Sequence, residues 1–228
     1  MRLFLDTADT AEVQKHFATG LIDGVTTNPT LIVKSGRKPQ DVYRELRLMG
    51  VPDISMEIVG DAPFIVAEAH KLVEEFEEVC TIKVPCTRDG LLACRELSRE
   101  GIRTNVTLIF SAAQAILAAK SGATYVSPFV GRCDDNSVAG LEVVRSIAEV
   151  YARQRVDTQV LAASIRDVYK VTRAFYNGAD VVTMPPNIFE RMYEHVLTRE
   201  GVKQFDTDWA MFHTPPATEE VIPELPAL

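Results

Sequence analysis

The sequence predicts an α/β protein, a (β/α)8 barrel of parallel strands followed by one additional C-terminal helix. Three observations predict it. First, a glycine recurs at one point of a repeated phrase: Gly20 before LIDGVTT, Gly50 before VPDISMEI, Gly101 before IRTNVTLI, Gly122 before ATYVSPF and Gly178 before ADVVTMP. Each follows a stretch with helical spacing and precedes a short β-branched or apolar run, which is how a helix C-cap turns into a strand. Second, about eight such strands can be placed, at 2–6, 24–27, 53–58, 80–84, 102–108, 124–129, 158–163 and 180–183, each followed by helical sequence. Third, the open doubly wound sheet that would compete carries GxGxxG or GxxxxGK[ST] between an early strand and helix, and neither motif is present.

Individual elements support the pattern. In DAPFIVAEAHKLVEEFEEV, Ile65, Ala69, Leu72, Val73 and Phe76 share one face, and Asp61 with Pro63 marks the start. In SAAQAILAAK, Ala112, Ala115, Ile116 and Ala119 form the apolar face behind Ser111 as N-cap. Beyond the eighth unit, EGVKQFDTDWAMF reads as a further amphipathic helix at about 201–212, with Val202, Phe205, Trp209 and Phe212 needing cover from their own barrel or a neighbouring subunit. Residues 1–212 are therefore expected to form a single barrel domain with its C-terminal helix. The Pro- and Glu-rich stretch 213–228 is expected to be a disordered tail.

With 228 residues and 46% hydrophobic content, the chain can fill one large core. Its net charge of -8 argues against nucleic acid or an anionic membrane surface as partner, yet leaves room for a local basic pocket. No signal peptide and no bilayer-length apolar run is found, so a cytoplasmic enzyme of metabolism is expected. Cys80, Cys86, Cys94 and Cys133 lack CxxC spacing, and His16, His70, His195 and His213 do not cluster with them; neither a metal site nor a disulfide framework is expected.

Chemistry enters with TIKVPCT at 81–87, where Lys83 sits between Ile82 and Val84 in a short buried strand. A buried ammonium group is costly unless paired or neutral. Two readings compete: a lysine snorkelling from a strand end, or a nucleophilic amine kept uncharged by desolvation, as Schiff-base chemistry requires. The surrounding pattern favours the second. Barrel active sites form at the C-terminal strand ends, and there the sequence puts Asp6, Asn28, Glu57, Lys83, Asn105, Thr107, Ser127 with Arg132 following, and Ser164 with Arg166.

Singly, each has a structural explanation, such as Asn28 before Pro29 in a turn or Arg132 facing solvent. Together they bring an amine, two carboxylates, amides, hydroxyls and two guanidinium groups to one mouth, which packing does not ask for. Period-two alternation places Asn105 with Thr107, Ser127 with Phe129, and Thr81 with Lys83 on shared faces. Arg132, Ser164 and Arg166 follow the later strands, where barrels commonly bind phosphate, and guanidinium forks match phosphate oxygens. Arg166 opens a helix, where an unpaired arginine is disfavoured and an anion would relieve it.

With these residues in view, the sequence resembles the short single-domain transaldolases related to fructose 6-phosphate aldolases. LFLDTAD, GVTTNPTLI, IKVPCT, SPFVGR, LAASIR, VTMP and DWAMF carry the resemblance over nearly the whole chain before the tail. The resemblance implies that Lys83 is the Schiff-base lysine, Asp6 the acid/base group at the cleaved carbon's hydroxyl, and Glu57, with Thr107, a carboxylate acting through water. It implies that Asn28, Asn105, Thr107 and Ser127 hold the dihydroxyacetone moiety and the catalytic water, that Phe129 lines the same pocket, and that Arg132, Ser164 and Arg166 bind phosphate. The implied reaction transfers a dihydroxyacetone unit from a ketose phosphate (fructose 6-phosphate or sedoheptulose 7-phosphate) to an aldose phosphate in the pentose phosphate pathway, without metal or organic cofactor. Sugar phosphates are the implied partners, and the family implies a pentamer or decamer contacting through the final helix.

Two other functions compete. Family aldolases, which release free dihydroxyacetone, carry Gln, Ala and Tyr where this chain has Glu57, Ser127 and Phe129, and lack the asparagine equivalent to Asn105. The chain makes the transaldolase choice at each position. A non-catalytic sugar-phosphate-binding barrel would have no use for both carboxylates beside Lys83.

Overall fold

A computed structural model describes residues 1–213 of the 228-residue chain. In chain order the elements are β1 (Arg2–Asp6), α1 (Thr10–Phe17), β2 (Gly24–Thr26), α2 (Pro29–Ser35), α3 (Pro39–Leu48), β3 (Ile54–Glu57), α4 (Ala62–Phe76), a 3-10 turn, β4 (Cys80–Pro85), α5 (Arg88–Arg99) and β5 (Thr104–Ile109). They continue with α6 (Ala112–Lys120), β6 (Tyr125–Pro128), α7 (Val130–Asp135), α8 (Gly140–Gln154), β7 (Gln159–Ala162), α9 (Val168–Tyr176), β8 (Val181–Met184), α10 (Pro186–Arg191) and α11 (Val196–His213). The strands form a closed barrel in sequence order, every pair parallel, with β8 returning to β1 through Arg2↔Val181 and Leu5↔Met184. No helix is long and apolar enough to cross a membrane among the described residues.

The glycines that punctuate the sequence do what the repeated phrase predicts. Gly20, Gly50, Gly101, Gly122 and Gly178 all have φ between 72° and 93°, the left-handed region that a residue without Cβ enters at least cost. Helix starts are satisfied by side chains: Asp61 accepts from the Phe64 amide ahead of α4, and Ser111 accepts from the Gln114 amide ahead of α6. One detail of α6 differs from expectation. Ala115 and Ala118 form its buried face, and Ile116 is exposed; Tyr151 of the neighbouring helix α8 donates to the Ala115 carbonyl at 2.6 Å.

Two apolar layers result. Outward-facing strand residues such as Leu5, Val25, Ile54, Ile82 and Val106 pack beneath the helices, while Phe4, Tyr125, Leu161, Ala163 and Val181 fill the barrel's interior. Phe4 needs Gly24 opposite it: a Cβ there would come within 2.6 Å of the ring.

Below that layer lies a polar plug that sequence reasoning did not find. Asp53 is 3% exposed and accepts from Thr81 (2.8 Å), Arg103 (2.9 Å) and the Tyr125 hydroxyl (2.7 Å). Arg2 in turn donates to Tyr125 at 2.7 Å and to Gln159. A buried carboxylate satisfied on both oxygens closes this end, whereas truncating it strands its donors.

Met1–Arg191 forms one compact unit and the segment from Met192 onward a second. The helix expected at 201–212 begins earlier, at Val196, and runs to His213. Val202, Phe205, Trp209 and Phe212 lie on it with at least half of each side chain exposed. Residues 214–228, most of the stretch expected to be a disordered tail, lie outside the described residues.

The plug generates a stability prediction. Asp53→Ala should lower the unfolding free energy by about 3 kcal/mol and Tyr125→Phe by about 1 kcal/mol, measured by urea denaturation.

Candidate active site

All six residues of β4 are buried, so Lys83, the fourth of them, cannot snorkel; it is 4% exposed. Its Nζ donates to the Thr27 carbonyl oxygen at 2.8 Å and lies 3.0 Å from Glu57 Oε2. Parallel pairing of β3 with β4 puts Glu57 directly opposite Lys83. Desolvation by itself favours the uncharged amine. The structure adds what that argument left out, a carboxylate counter-charge in contact, which offsets desolvation and gives the amine a partner for proton exchange.

Asp6 ends β1 opposite Thr26. Burial pushes its carboxyl above the usual carboxylate range, with the Lys83 charge and a hydrogen bond from Thr26 opposing that rise. Thr26 donates to Asp6 Oδ1 at 2.8 Å, and its hydroxyl also lies 2.7 Å from that of Thr183 on β8. On the other side of the mouth, Ser127 donates to Asn105 Oδ1 at 2.7 Å and Asn105 Nδ2 donates to Ser55 at 3.2 Å. This chain of partners fixes the amide's orientation.

Thr107 departs from the pattern. Its hydroxyl is the buried side-chain polar atom without a hydrogen-bond partner among the described residues. It neighbours Leu108, whose φ of 58° is costly for a branched side chain, and the β5–β6 register shifts between Val106 and Ile109. A bulge of this kind re-aims a side chain, and here it leaves a donor–acceptor group of the cavity wall unoccupied.

Asp6, Thr26, Asn28, Lys83, Thr107, Ser127, Phe129, Arg132, Ser164 and Thr183 line one cavity at the C-terminal end of the barrel, with Leu161 and Ala163 completing it. Asn28 has a structural duty as well: its Oδ1 accepts from the Leu31 amide and caps α2. Arg132 lies over the Phe129 ring, 5.2 Å from its centroid. Gly131 keeps this wall close, because a Cβ would come within 2.4 Å of the Ser164 carbonyl and 2.7 Å of Arg166 Nε. Ser164 itself has a φ of 57°, so both the hydroxyl and the turn that carries it are held by local strain.

Three predicted residues do not line the cavity. Glu57 reaches it through Lys83 and Asn105 through Ser127, while the Arg166 guanidinium donates to both oxygens of Asp135 at 2.5 and 2.6 Å. The anion that its helix-opening position called for is, in this state, a carboxylate of α7. The fork holds Asp135 below the usual carboxylate range.

Sequence reasoning missed Thr26, Ser55 and Thr183. The signal was there for the first two: Thr26 is two residues before Asn28 and Ser55 two before Glu57, so period-two alternation places them on the same inward face. The four cysteines are free thiols, with burial pushing Cys80 up to about 12 and Cys94 to about 11. Among the described residues, no group of three His, Cys, Asp or Glu side chains is arranged around a metal position.

The unpartnered hydroxyl gives a contrast in stability. Thr107→Val should leave the fold as stable or up to about 1 kcal/mol more stable, whereas Asn105→Ala should cost about 1–3 kcal/mol by stranding Ser127 and Ser55; thermal unfolding of the two variants measures it.

The family model described as Transaldolase/Fructose-6-phosphate aldolase matches residues 3–215. A probable transaldolase of Phenylobacterium zucineum is 49% identical over 211 residues, covering 92% of this chain and 97% of that protein. Probable transaldolases of Paracoccus denitrificans and Caulobacter vibrioides are each 48% identical with the same coverage. This chain belongs to the transaldolase/fructose-6-phosphate aldolase family.

Proposed function

We propose that Lys83 is the Schiff-base nucleophile of this protein and that the cavity around it passes a dihydroxyacetone unit from a ketose phosphate to an aldose phosphate. The chain is a transferase of the transaldolase type. The observation that carries it is the placement of one buried amine within 3.0 Å of Glu57 and in electrostatic contact with Asp6.

Glu57 takes a proton from the Nζ ammonium, and the freed lone pair attacks the ketose carbonyl carbon, whose oxygen becomes a hydroxyl by taking a second proton from the nitrogen. Glu57 then returns the proton through a water held by the unpartnered Thr107 hydroxyl, so that the hydroxyl leaves as water and an iminium remains. Asp6 removes the proton from the hydroxyl on the carbon beyond the scissile bond. That oxygen's electrons form an aldehyde, the carbon–carbon bond breaks, and its pair flows into the iminium to give an enamine. Burial suits Asp6 to this step, since a base whose proton affinity lies above the ordinary carboxylate range is closer to working pH. Asn28 and Ser127 on the cavity wall, with Asn105 fixed behind Ser127 by Ser127 and Ser55, provide polar contacts for the three-carbon unit. An aldose phosphate then adds to the enamine, Asp6 returns its proton, and hydrolysis releases the new ketose from Lys83.

Arg132 and Ser164 supply a guanidinium and a hydroxyl in the cavity for phosphate. Arg166 joins them by exchanging Asp135 for phosphate oxygens, one anion for another at an exposed site, where the carboxylate pair contributes little.

The test is product formation from fructose 6-phosphate with and without erythrose 4-phosphate. Turnover should require the acceptor and yield glyceraldehyde 3-phosphate with sedoheptulose 7-phosphate, and Thr107→Val should lose on the order of 10²-fold in kcat. Acceptor-independent release of free dihydroxyacetone would assign the chain to the aldolase branch, and no turnover in folded protein would contradict the reading.

A further inference from the structure

Thr183 is 1% exposed, lines the cavity, and has no role in the steps above. Among the described residues its hydroxyl meets only that of Thr26, at 2.7 Å. Thr26 has a single hydroxyl proton, and its oxygen also lies 2.8 Å from Asp6 Oδ1. An ionised carboxylate accepts only, so with Asp6 charged the Thr26 proton points at Asp6. Thr183 must then be the donor to Thr26. The donors run in one direction from β8 through β2 to β1, across strands whose register pairs Asp6 with Thr26 and Phe4 with Thr183.

We propose that Thr183 is a positioning residue for the Asp6 base, orienting the Thr26 hydroxyl and strengthening its hydrogen bond to the charged carboxylate. Both threonines are buried, so water does not compete for the contact, and a hydroxyl that accepts a hydrogen bond donates a stronger one. Protonating Asp6 favours the reverse order, which leaves the Thr183 proton with no acceptor among the described residues. The chain therefore stabilises the ionised base. The charged groups facing Asp6 are Lys83 across the barrel, with Glu57 beyond it, and Arg132 on the cavity wall. On α10, packed against β1, Glu190 is engaged by Lys15 and His16.

The inference rests on the proposed role of Asp6, and its test separates the two. The pH profile of kcat/KM for acceptor-dependent cleavage is measured for the wild type, Thr183→Val, Thr183→Ser and Asp6→Asn, with folding checked by circular dichroism and Thr183→Ala as a second deletion should the valine variant not fold. Loss of a hydrogen bond to the charged form raises proton affinity, so the acid limb should move to higher pH. Thr183→Val should lose roughly 3- to 10-fold on the acid side and stay within about 2-fold on the alkaline plateau, with Thr183→Ser restoring the wild-type profile. A loss equal at every pH, no change, or a shifted limb that serine does not restore would overturn the role of Thr183 alone, provided Asp6→Asn abolishes cleavage. Wild-type activity in Asp6→Asn would instead remove the role of Asp6, and the inference with it.

Discussion

Removing a lysine amine from water is unfavourable by several kcal/mol unless something replaces the lost hydration, and at Lys83 a backbone carbonyl and a carboxylate replace it. The Thr27 oxygen is available because β2 ends there, and Glu57 is available because β3 and β4 pair in a register that brings residues 57 and 83 side by side. Neither partner is adjacent in sequence. A closed parallel barrel is what brings them together, and its closure depends in turn on the interior layers beneath.

Those layers divide the barrel's interior by polarity. At one end the Asp53 network satisfies a buried carboxylate with donors from several strands. Phe4, Tyr125, Leu161 and Val181 form an apolar floor. Above the floor the side chains are polar, and they differ in how fully they are satisfied. Asn105, Ser127 and Ser55 are bound to one another, which holds them rigid; Thr107 is left open beside a strained Leu108. Satisfied groups supply fixed geometry and the open one supplies capacity, which fits a site that must hold both a sugar and a water. Beyond the wall bearing Arg132 and Ser164 the same logic holds with charge, since the Arg166 guanidinium is kept oriented by Asp135 rather than left bare.

Much of this was legible in the sequence, for identifiable reasons. The barrel could be read because each helix-to-strand turn needs a left-handed residue, and glycine marks it; all five marked positions have positive φ. Lys83, Asp6 and Ser127 could be placed at the mouth because position on a strand fixes the end of the barrel to which a residue belongs. What alternation could not give was pairing between strands. It placed Asn105 on the inner face without Ser55, Asp6 without Thr26 and Thr183, and Arg166 near the phosphate wall without Asp135. The Asp53 plug went unseen for the same reason, being assembled from residues in or just before six strands far apart in the chain. Helix α6 shows the limit on the outer face: its apolar pattern included Ile116, but the buried face is the one carrying Ala115 and Ala118, and α8 packs against the helix.

The central claim is that the Lys83 amine, and no other, forms a covalent bond with the ketose. It is tested most directly by incubating the intact chain with fructose 6-phosphate, reducing with borohydride, and mapping the modified peptide by mass spectrometry. A reduced adduct on Lys83, absent from a folded Lys83→Met variant, is the expected result. Folded wild-type protein that yields no adduct, or one carried by a different lysine, would contradict it.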